Sequence, residues 1–267
     1  MPQHYQNQVV WITGASSGIG EALAMAFAAQ DARLVLSARR EAELDRVRQA
    51  TGLPAERVLV LPLDVTDYAA ATMAAAKVIQ YFGRLDVMVN NAGVSQRSYV
   101  HDTELSVYQR LLDVNFLSTV ALTKAVLPTM KQQQSGQFIV ISSVAGKVGT
   151  IMRSGYNAAK HALHGFYDSL RAESYNDGIR VTIICPGYIK TSVSVNALNE
   201  KGQQYGKMDA NQAKGLDVDL CATKIIRAAA AGKKEVYIGG FTEVLAVYLK
   251  RYWPGLLYDL IRRNPPE

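Results

Sequence analysis

Cysteine is scarce in this chain of 267 residues, which contains only Cys185 and Cys221. Their spacing matches neither a disulfide framework nor a metal-binding motif. Cys185 also ends a β-branched run that is typical of a buried strand. We therefore expect two reduced core cysteines and no metal site.

Long apolar runs are also missing: no stretch approaches the roughly 18 to 20 uninterrupted apolar residues of a membrane span. Residues 1–8 lack the charged and apolar regions of a signal peptide. The net charge is +6, but the basic residues are scattered without an aromatic-interleaved block, so nucleic-acid binding is not expected. These absences, with 49% hydrophobic residues, predict a globular cytoplasmic protein.

Short β-rich runs alternate with longer helical patterns throughout the chain. The predicted strands are Val9–Thr13, Arg33–Ser37, Arg57–Leu61, Asp86–Asn90, Gln137–Ser142, Arg180–Cys185 and Glu235–Ile238. Seven strands joined by crossovers predict an α/β fold with one parallel, doubly wound sheet and helices on both faces. Ligands bind beyond the carboxyl ends of such strands.

No repeat, linker or second domain is evident, so residues 1–240 are predicted to form one domain and residues 241–267 an amphipathic extension of it. Leu245, Tyr248 and Leu249 begin an apolar stripe that Pro254 interrupts. The extension is too short to span a membrane. It is expected to pack on its own domain or on a neighbouring subunit, or to lie on a membrane surface. The polar segment 199–215 is predicted to be a mobile loop over the site.

A glycine-rich turn, Thr13-Gly-Ala-Ser-Ser-Gly-Ile-Gly20, lies between the first strand and an alanine-rich helix. Gly14, Gly18 and Gly20 allow a tight turn and close approach to a pyrophosphate, while the helix N-terminus offers unpaired N–H groups. A flexible turn is the plain alternative, but the strand before it and the helix after it favour nucleotide binding.

Tyr156 and Lys160 lie four residues apart in a predicted helix, so phenol and ammonium share one face. A neighbouring cation lowers a phenol pKa and would make Tyr156 a usable general acid. The alternative is an amphipathic helix with a core tyrosine and an outward lysine. Ser142 and Ser143 follow a buried strand, and a hydroxyl there would bind a substrate oxygen, because no nucleophilic triad or elbow motif accompanies it. Asn115 interrupts an apolar helix, where it could simply bond to the backbone.

Taken together, these motifs resemble the short-chain dehydrogenase/reductase family over about residues 8–238. The resemblance implies that Tyr156 is the proton donor or acceptor and that Ser143 steadies the carbonyl oxygen. It also implies that Lys160 binds the nicotinamide ribose and lowers the pKa of Tyr156, and that Asn115 supports a proton relay. The implied cofactor-binding set is Gly14, Ser16, Ser17, Gly18, Ile19, Gly20, Arg39, Arg40, Asp64, Val65, Asn91, Ala92, Gly93, Tyr156, Lys160, Pro186, Gly187, Ile189 and Thr191. Capping and turn formation are the plain alternatives for Asp64 and Thr191.

The end of the second strand indicates which cofactor is preferred. Enzymes selective for NAD(H) usually have an acid there, which bonds the ribose 2′-hydroxyl. This chain has Arg39 and Arg40 instead, and a guanidinium binds a 2′-phosphate. We predict NADP(H), with NAD(H) as the alternative, because Ser16 and Ser17 add no basic residue from the glycine loop.

The sequence resembles the hydroxysteroid dehydrogenase and carbonyl reductase branch most, which implies an apolar carbonyl substrate. An NAD(H)-dependent alcohol dehydrogenase and a non-catalytic NADPH sensor remain open, although a sensor would not need Ser143, Tyr156 and Lys160 together. A sugar-nucleotide epimerase usually has a larger carboxyl-terminal domain. Small residues at 158, 162, 165 and 169 along the Tyr156 helix suit a homodimer or homotetramer, as the resemblance also implies.

Overall fold

The computed structural model describes residues 4–263 and contains one seven-stranded parallel sheet. Its strand order is β3-β2-β1-β4-β5-β6-β7, with all six neighbouring pairs parallel. The strands are β1 Val9–Thr13, β2 Arg33–Ser37, β3 Val58–Val60, β4 Val87–Asn90, β5 Gly136–Ile141, β6 Ile179–Pro186 and β7 Glu235–Ile238. The predicted fold class is confirmed, and three of the seven strands have the predicted bounds.

Helices cover both faces of the sheet. They are α1 Gly18–Ala28, α2 Glu41–Ala50, α3 Tyr68–Phe82, α4 Leu105–Leu112, α5 Ser118–Gln132, α6 Ser154–Glu173, α7 Ala210–Ala213, α8 Val218–Ala230, α9 Phe241–Tyr252 and α10 Pro254–Arg263. Alternate residues of β1 point to opposite layers: Val10 and Ile12 pack with α1 and α8, while Val9 and Trp11 pack with α3, α5 and α6. Because both faces are buried, the strands are apolar throughout.

A five-residue π-helical segment, Asp113–Leu117, joins α4 to α5 and holds Asn115. The resulting stretch, Leu105–Gln132, is the one helix among residues 4–263 that is long and apolar enough to cross a membrane, with a mean hydropathy of 1.3. It contains no uninterrupted apolar run of that length, because polar residues, among them Asn115, Thr119 and Thr123, interrupt it. These three polar residues are buried inside the domain, and 39% of the apolar window is buried as well. A core helix passes the same composition test.

The C-terminal extension forms the helix pair α9 and α10, with the break at Trp253 immediately before Pro254, because proline cannot continue a helix and disfavours helical backbone in the preceding residue. Val247 and Leu257 anchor the pair on Val144 and Val148, which follow β5. Residues 264–267 of the predicted extension lie outside the described residues. The two cysteines are buried and unpaired.

Candidate active site

A cleft of about 1980 Å³ lies at the carboxyl edge of the sheet. Its walls include the loops that follow β1, β4, β5 and β6, together with α9 and α10. The expected convergence of these loops is therefore present. The cleft exceeds the roughly 300–1,000 Å³ of a pocket for one small ligand, which leaves room for a dinucleotide and a substrate.

The glycine turn has the backbone that a phosphate cradle needs. Gly14 and Gly18 have φ values of +64° and +58°, which disfavour any other residue. A Cβ on Gly20 would overlap the carbonyl oxygen of Gly14 and lie 2.6 Å from the Asn91 amide nitrogen. Ser16, Ser17 and Ile19 line the same cleft. The first turn of α1 thus packs directly on the backbone of the glycine turn and lines the cleft, where a pyrophosphate fits.

Thr13 connects the loop after β4 to the glycine turn after β1, a role that the sequence did not predict. Its hydroxyl accepts the N–H groups of Asn91 and Ala92, both at 3.1 Å, and the Asn91 amide donates to the Thr13 carbonyl oxygen at 2.8 Å. Gly93 lies close to Asn115 and Lys160, because a Cβ there would lie 2.8 Å from Asn115 Oδ1 and 3.5 Å from Lys160 Nζ. The two loops therefore form one unit around the predicted cofactor path.

Arg39 and Arg40 are exposed and line the cleft. Among residues 4–263, neither guanidinium forms a salt bridge or a hydrogen bond. Asp64 Oδ1 accepts the backbone N–H and the hydroxyl of Thr66, at 2.9 and 2.7 Å. These bonds and the charge of Arg39 lower the pKa of Asp64 despite its partial burial. Asp64 therefore forms a turn rather than a helix cap, and Val65 beside it also lines the cleft.

The loop after β6 closes over the glycine turn. A Cβ on Gly18 would lie 3.3 Å from Thr191 Cγ2, so the two segments are in contact. Gln212 of α7 donates to the Ile189 carbonyl oxygen and to the Thr191 hydroxyl. Pro186, Gly187, Ile189 and Thr191 all line the cleft.

The four predicted catalytic residues come together at the centre of the cleft. Ser143 donates to the Pro186 carbonyl oxygen at 3.2 Å and also hydrogen-bonds to Tyr156. Lys160 Nζ lies 5.7 Å from the centre of the Tyr156 ring and donates to the Ile141 carbonyl oxygen at 2.8 Å. Asn115 bonds to Leu111 at the preceding helical turn, as the plain alternative predicted, and it also bonds to both backbone groups of Val94. It thus ties the π-helical segment to the loop after β4.

The electrostatics of this centre differ from the expectation in one respect. Burial raises the pKa of Tyr156, whereas the Ser143 hydrogen bond and the charges of Arg153 and Arg97 lower it. Lys160 was expected to give this lowering. Burial instead lowers the pKa of Lys160 itself to about 8, against a smaller opposing effect of Cys185. The ammonium donates to the Ile141 carbonyl oxygen rather than to the phenol.

Sequence reasoning missed an ionic cluster of Arg97, Arg153 and Asp209 in the same cleft. Both guanidiniums contact Asp209 Oδ2, at 3.2 and 2.8 Å, and none of the three side chains is more than 13% exposed. Arg97 lies in the loop after β4, and Asp209 lies just before α7. The polar composition of segment 199–215 predicted a mobile loop there. In the structure, Asp209 connects that segment to the base of α6.

A second buried network was also missed. His164 lies between Ser142, at 3.1 Å, and Glu235, at 3.2 Å, and Cys185 Sγ is 3.8 Å away. Although burial alone would raise the pKa of Glu235, bonds from His164, Lys147 and Tyr237 lower it to about 2. A metal ion at this position would need the Glu235 carboxylate, but the Lys147 ammonium already lies 2.8 Å from it. Burial also raises the pKa of the Cys185 thiol to about 12, which disfavours the thiolate that a metal binds. The group is therefore a hydrogen-bonded support beneath Ser142.

Comparison with known proteins matches this geometry. A sequence model described as short chain dehydrogenase matches residues 8–202. The dehydrogenase/reductase SDR family protein 7-like of Anopheles gambiae is 41% identical, over 98% of this chain and 84% of its own. Mouse dehydrogenase/reductase SDR family member 7B is 38% identical, over 97% and 81%.

The fold is shared with a solved short chain dehydrogenase/reductase from Burkholderia phymatum in complex with NAD. That structure has a TM-score of 0.85 at 23% identity and covers 99% of this chain and 98% of its own. The motifs, the sheet order and these relatives lead to one assignment: the chain belongs to the short-chain dehydrogenase/reductase family and is an NAD(P)-dependent oxidoreductase.

Proposed function

We propose that this oxidoreductase interconverts a ketone or aldehyde and an alcohol, with NADP(H) as its preferred cofactor and Tyr156 as the general acid or base. The observation that carries the proposal is the convergence of Ser143, Tyr156, Lys160 and Asn115 in a cleft that also contains the glycine cradle. A nucleotide sensor needs the cradle but not the other four residues.

The cofactor fits the residues present. The glycine cradle and Thr191 would hold the pyrophosphate, Asp64 and Val65 the adenine, and Lys160 the nicotinamide ribose. When bound, NADP(H) supplies or accepts the hydride. The polar groups that would remain near its ribose 2′-position are Arg39 and Arg40, whose guanidiniums form no salt bridge or hydrogen bond among residues 4–263. A charge-assisted bond to a 2′-phosphate would satisfy them.

The chain itself supplies the proton and the orientation. In the direction of reduction, Ser143 donates a hydrogen bond to the carbonyl oxygen and Tyr156 O–H transfers its proton to that oxygen. Because burial raises the pKa of Tyr156, the phenol is held in the protonated form that reduction requires. Lys160 and Asn115 fix the helix, the π-helical segment and the loop after β4 around this pair.

The substrate end of the cleft is apolar on the side of the C-terminal helices. Leu245, Leu249, Leu257 and Ile261 line it, so a substrate with a hydrocarbon portion fits best. An NAD(H)-dependent alcohol dehydrogenase of the same family is the alternative, and it would use the same catalytic residues.

The test is NADPH and NADH consumption, followed by absorbance, against a panel of ketones, aldehydes, quinones and steroids. Turnover with at least one carbonyl, faster with NADPH, is expected. Cofactor binding without turnover on any member of the panel would instead support the sensor. Equal or faster turnover with NADH would support the alternative enzyme.

We also propose that the chain is a homodimer or homotetramer. Ala158, Gly165 and Ser169 form an outward, small-residue face of α6, and Phe166 is only partly buried beside them. Such a face permits close helix packing across a two-fold axis. Sedimentation equilibrium at micromolar concentration should give a dimer or tetramer mass, and a monomer mass would contradict the proposal.

The last part of the proposal places the enzyme in the cytoplasm, with residues 241–267 as an extension of one domain that contacts anionic membrane surfaces. The outward face of α9 and α10 exposes Tyr248, Tyr252, Trp253, Leu256 and Tyr258 by 52 to 65%. Lys250, Arg251, Arg262 and Arg263 flank this apolar face. Aromatic and basic residues in this arrangement favour an anionic lipid interface.

Vesicle flotation tests this contact. The intact protein should float with vesicles that contain anionic lipid, and the double variant Trp253→Glu, Leu256→Glu should not, because a charge cannot enter the apolar boundary. Tyr175→Glu is the control, since Tyr175 is 80% exposed beyond the other end of α6. If nothing floats but the double variant dissociates into smaller species, the helix pair docks on a subunit and the membrane contact is wrong.

A further inference from the structure

The cluster of Arg97, Arg153 and Asp209 carries more positive charge than its own contacts balance. Two guanidiniums share one carboxylate oxygen. The other oxygen of Asp209 caps α7 by accepting N–H groups from Asn211 and Gln212, at 2.9 and 3.3 Å. A further acid in the cleft, Glu243, accepts the backbone N–H of Tyr188. One positive charge therefore remains in a region that is almost fully buried, where unpaired charge is costly.

The guanidiniums of Arg97 and Arg153 also have N–H donors without a hydrogen-bond partner among the described residues. Arg97 donates to the Ser95 hydroxyl, the Gln96 carbonyl oxygen and Asp209. Arg153 donates to the Tyr188 hydroxyl and Asp209, and its guanidinium lies 5.5 Å from the centre of the Tyr188 ring. A guanidinium has five N–H donors, so each retains donors that no residue between 4 and 263 takes. Both side chains line the cleft.

The position of the cluster points to the substrate rather than the cofactor. Arg153 is the residue before α6 and precedes Tyr156 by three positions. The charges of both arginines act on the Tyr156 phenol. Gln96, beside Arg97, accepts the backbone N–H groups of Gly155 and Tyr156, at 2.8 and 3.4 Å. Apart from Thr191, the residues proposed for the 2′-phosphate and pyrophosphate belong to the loops after β1 and β2, away from Arg97 and Arg153 in the chain.

We propose that the carbonyl substrate carries an anionic group, a carboxylate or a phosphate monoester, which binds Arg97 and Arg153 while its carbonyl oxygen meets Tyr156. This rests on the proposed carbonyl reduction and narrows its substrate class. A guanidinium pair binds the planar or tetrahedral oxyanion through charge-assisted, bidentate bonds. The apolar wall of the C-terminal helices then takes the hydrocarbon portion. The preferred substrate is an amphiphile rather than the wholly apolar ketone expected from the sequence.

Matched substrates test this on the unaltered protein. A medium-chain 4-oxo fatty acid is compared with its methyl ester, and the phosphate monoester of a long-chain hydroxyketone with the free hydroxyketone. The anionic member of at least one pair should have a kcat/KM about tenfold higher or more, as expected for a charged hydrogen bond. The pair with the larger ratio distinguishes carboxylate from phosphate. Equal or faster turnover of the neutral members in both pairs would overturn the proposal.

Variants separate anion binding from a purely structural clamp on segment 199–215. Arg153→Gln should lower the ratio of kcat/KM for the anionic substrate to that for its ester about tenfold, with the NADPH affinity nearly unchanged. Asp209→Asn keeps a capping side chain and adds net positive charge, so the preference for the anion should persist or grow. Arg84→Gln, which breaks an ion pair with Asp86 outside the cleft, is the control. If the cluster were only a structural clamp, Arg153→Gln would lower the turnover of acid and ester equally. The ratio of kcat/KM for the acid to that for the ester would then be unchanged, which would refute the anion site.

Thermal unfolding with NADPH separates this proposal from the proposed function. Dodecanoate should raise the Tm of the parent protein more than methyl dodecanoate does, and Arg153→Gln should lose that difference. If dodecanoate stabilises but no carbonyl is reduced, the anion site stands and the enzymatic proposal fails. If esters are reduced with dependence on Tyr156 and dodecanoate has no effect on the Tm, the enzymatic proposal stands and the anion site fails.

Discussion

Replacement of Tyr156 by phenylalanine is expected to lower kcat by roughly 10²- to 10⁴-fold, the range for removal of a general acid or base. The phenyl ring keeps the packing against the apolar neighbours Val107, Leu111 and Leu198. Only the hydroxyl that bonds to Ser143 is lost. Cofactor affinity should therefore stay close to that of the parent protein. Steady-state turnover of the best carbonyl in the panel, together with NADPH titration, measures both quantities.

Tyr167→Phe is the matched control, because Tyr167 lies on the same helix and is fully buried. Its hydroxyl bonds to Asn90 and Thr123 at 2.8 Å each, away from the cleft. Removing it should lower the free energy of unfolding by about 1 kcal/mol and leave kcat close to the parent value. Retention of most turnover in Tyr156→Phe would exclude the proposed role of the phenol.

Replacement of Arg39 by aspartate is expected to weaken NADPH binding about ten- to a hundredfold and to favour NADH. Loss of a charged hydrogen bond costs about 1.5 to 3 kcal/mol, and each 1.4 kcal/mol is about tenfold in affinity. The aspartate would also repel a 2′-phosphate and can accept a bond from a ribose 2′-hydroxyl. Titration of both cofactors under the same salt conditions gives the ratio of NADPH affinity to NADH affinity.

Lys77→Glu controls for the change in net charge, which is the same as in Arg39→Asp. Lys77 is exposed on α3 and does not line the cleft. It should leave both affinities unchanged at moderate salt, since distant surface charges are screened. An unaltered cofactor preference in Arg39→Asp would shift the assignment to Arg40, or to NAD(H) as the natural cofactor.

Local sequence patterns were sufficient to predict the sheet, because each strand is a short apolar run set between helical periods. The ends of β1, β2 and β7 were predicted to the residue. The bounds of β3, β4, β5 and β6 each differ from the prediction by one residue at one or both ends, because strand pairing with a neighbour rather than propensity decides which residues are included. The proximity of Tyr156 and Lys160 could also be predicted, because the helix itself fixes the geometry of residues four positions apart.

The ionic cluster could not be predicted in this way. Arg97 and Arg153 are separated from Asp209 by 112 and 56 positions, and each stands in a loop without a recognisable motif. The polar composition of segment 199–215 by itself predicts a mobile loop. Its Asp209, however, forms buried ion pairs with two arginines from distant parts of the chain. The His164 network was missed for the same reason, because its members lie on α6, β6 and β7 and in the segment after β5.

The sequence by itself determined the order of strands and helices, the glycine-rich turn and the spacing of Tyr156 and Lys160, because these depend on local sterics and helical repeat. The tertiary structure alone decided which charges face each other inside the cleft. Burial raises the pKa of Tyr156 and lowers that of Lys160 to about 8, and it places two arginines on one carboxylate. Burial and charge neighbours arise only when distant segments meet, so protonation and the charge of the substrate site follow from the fold.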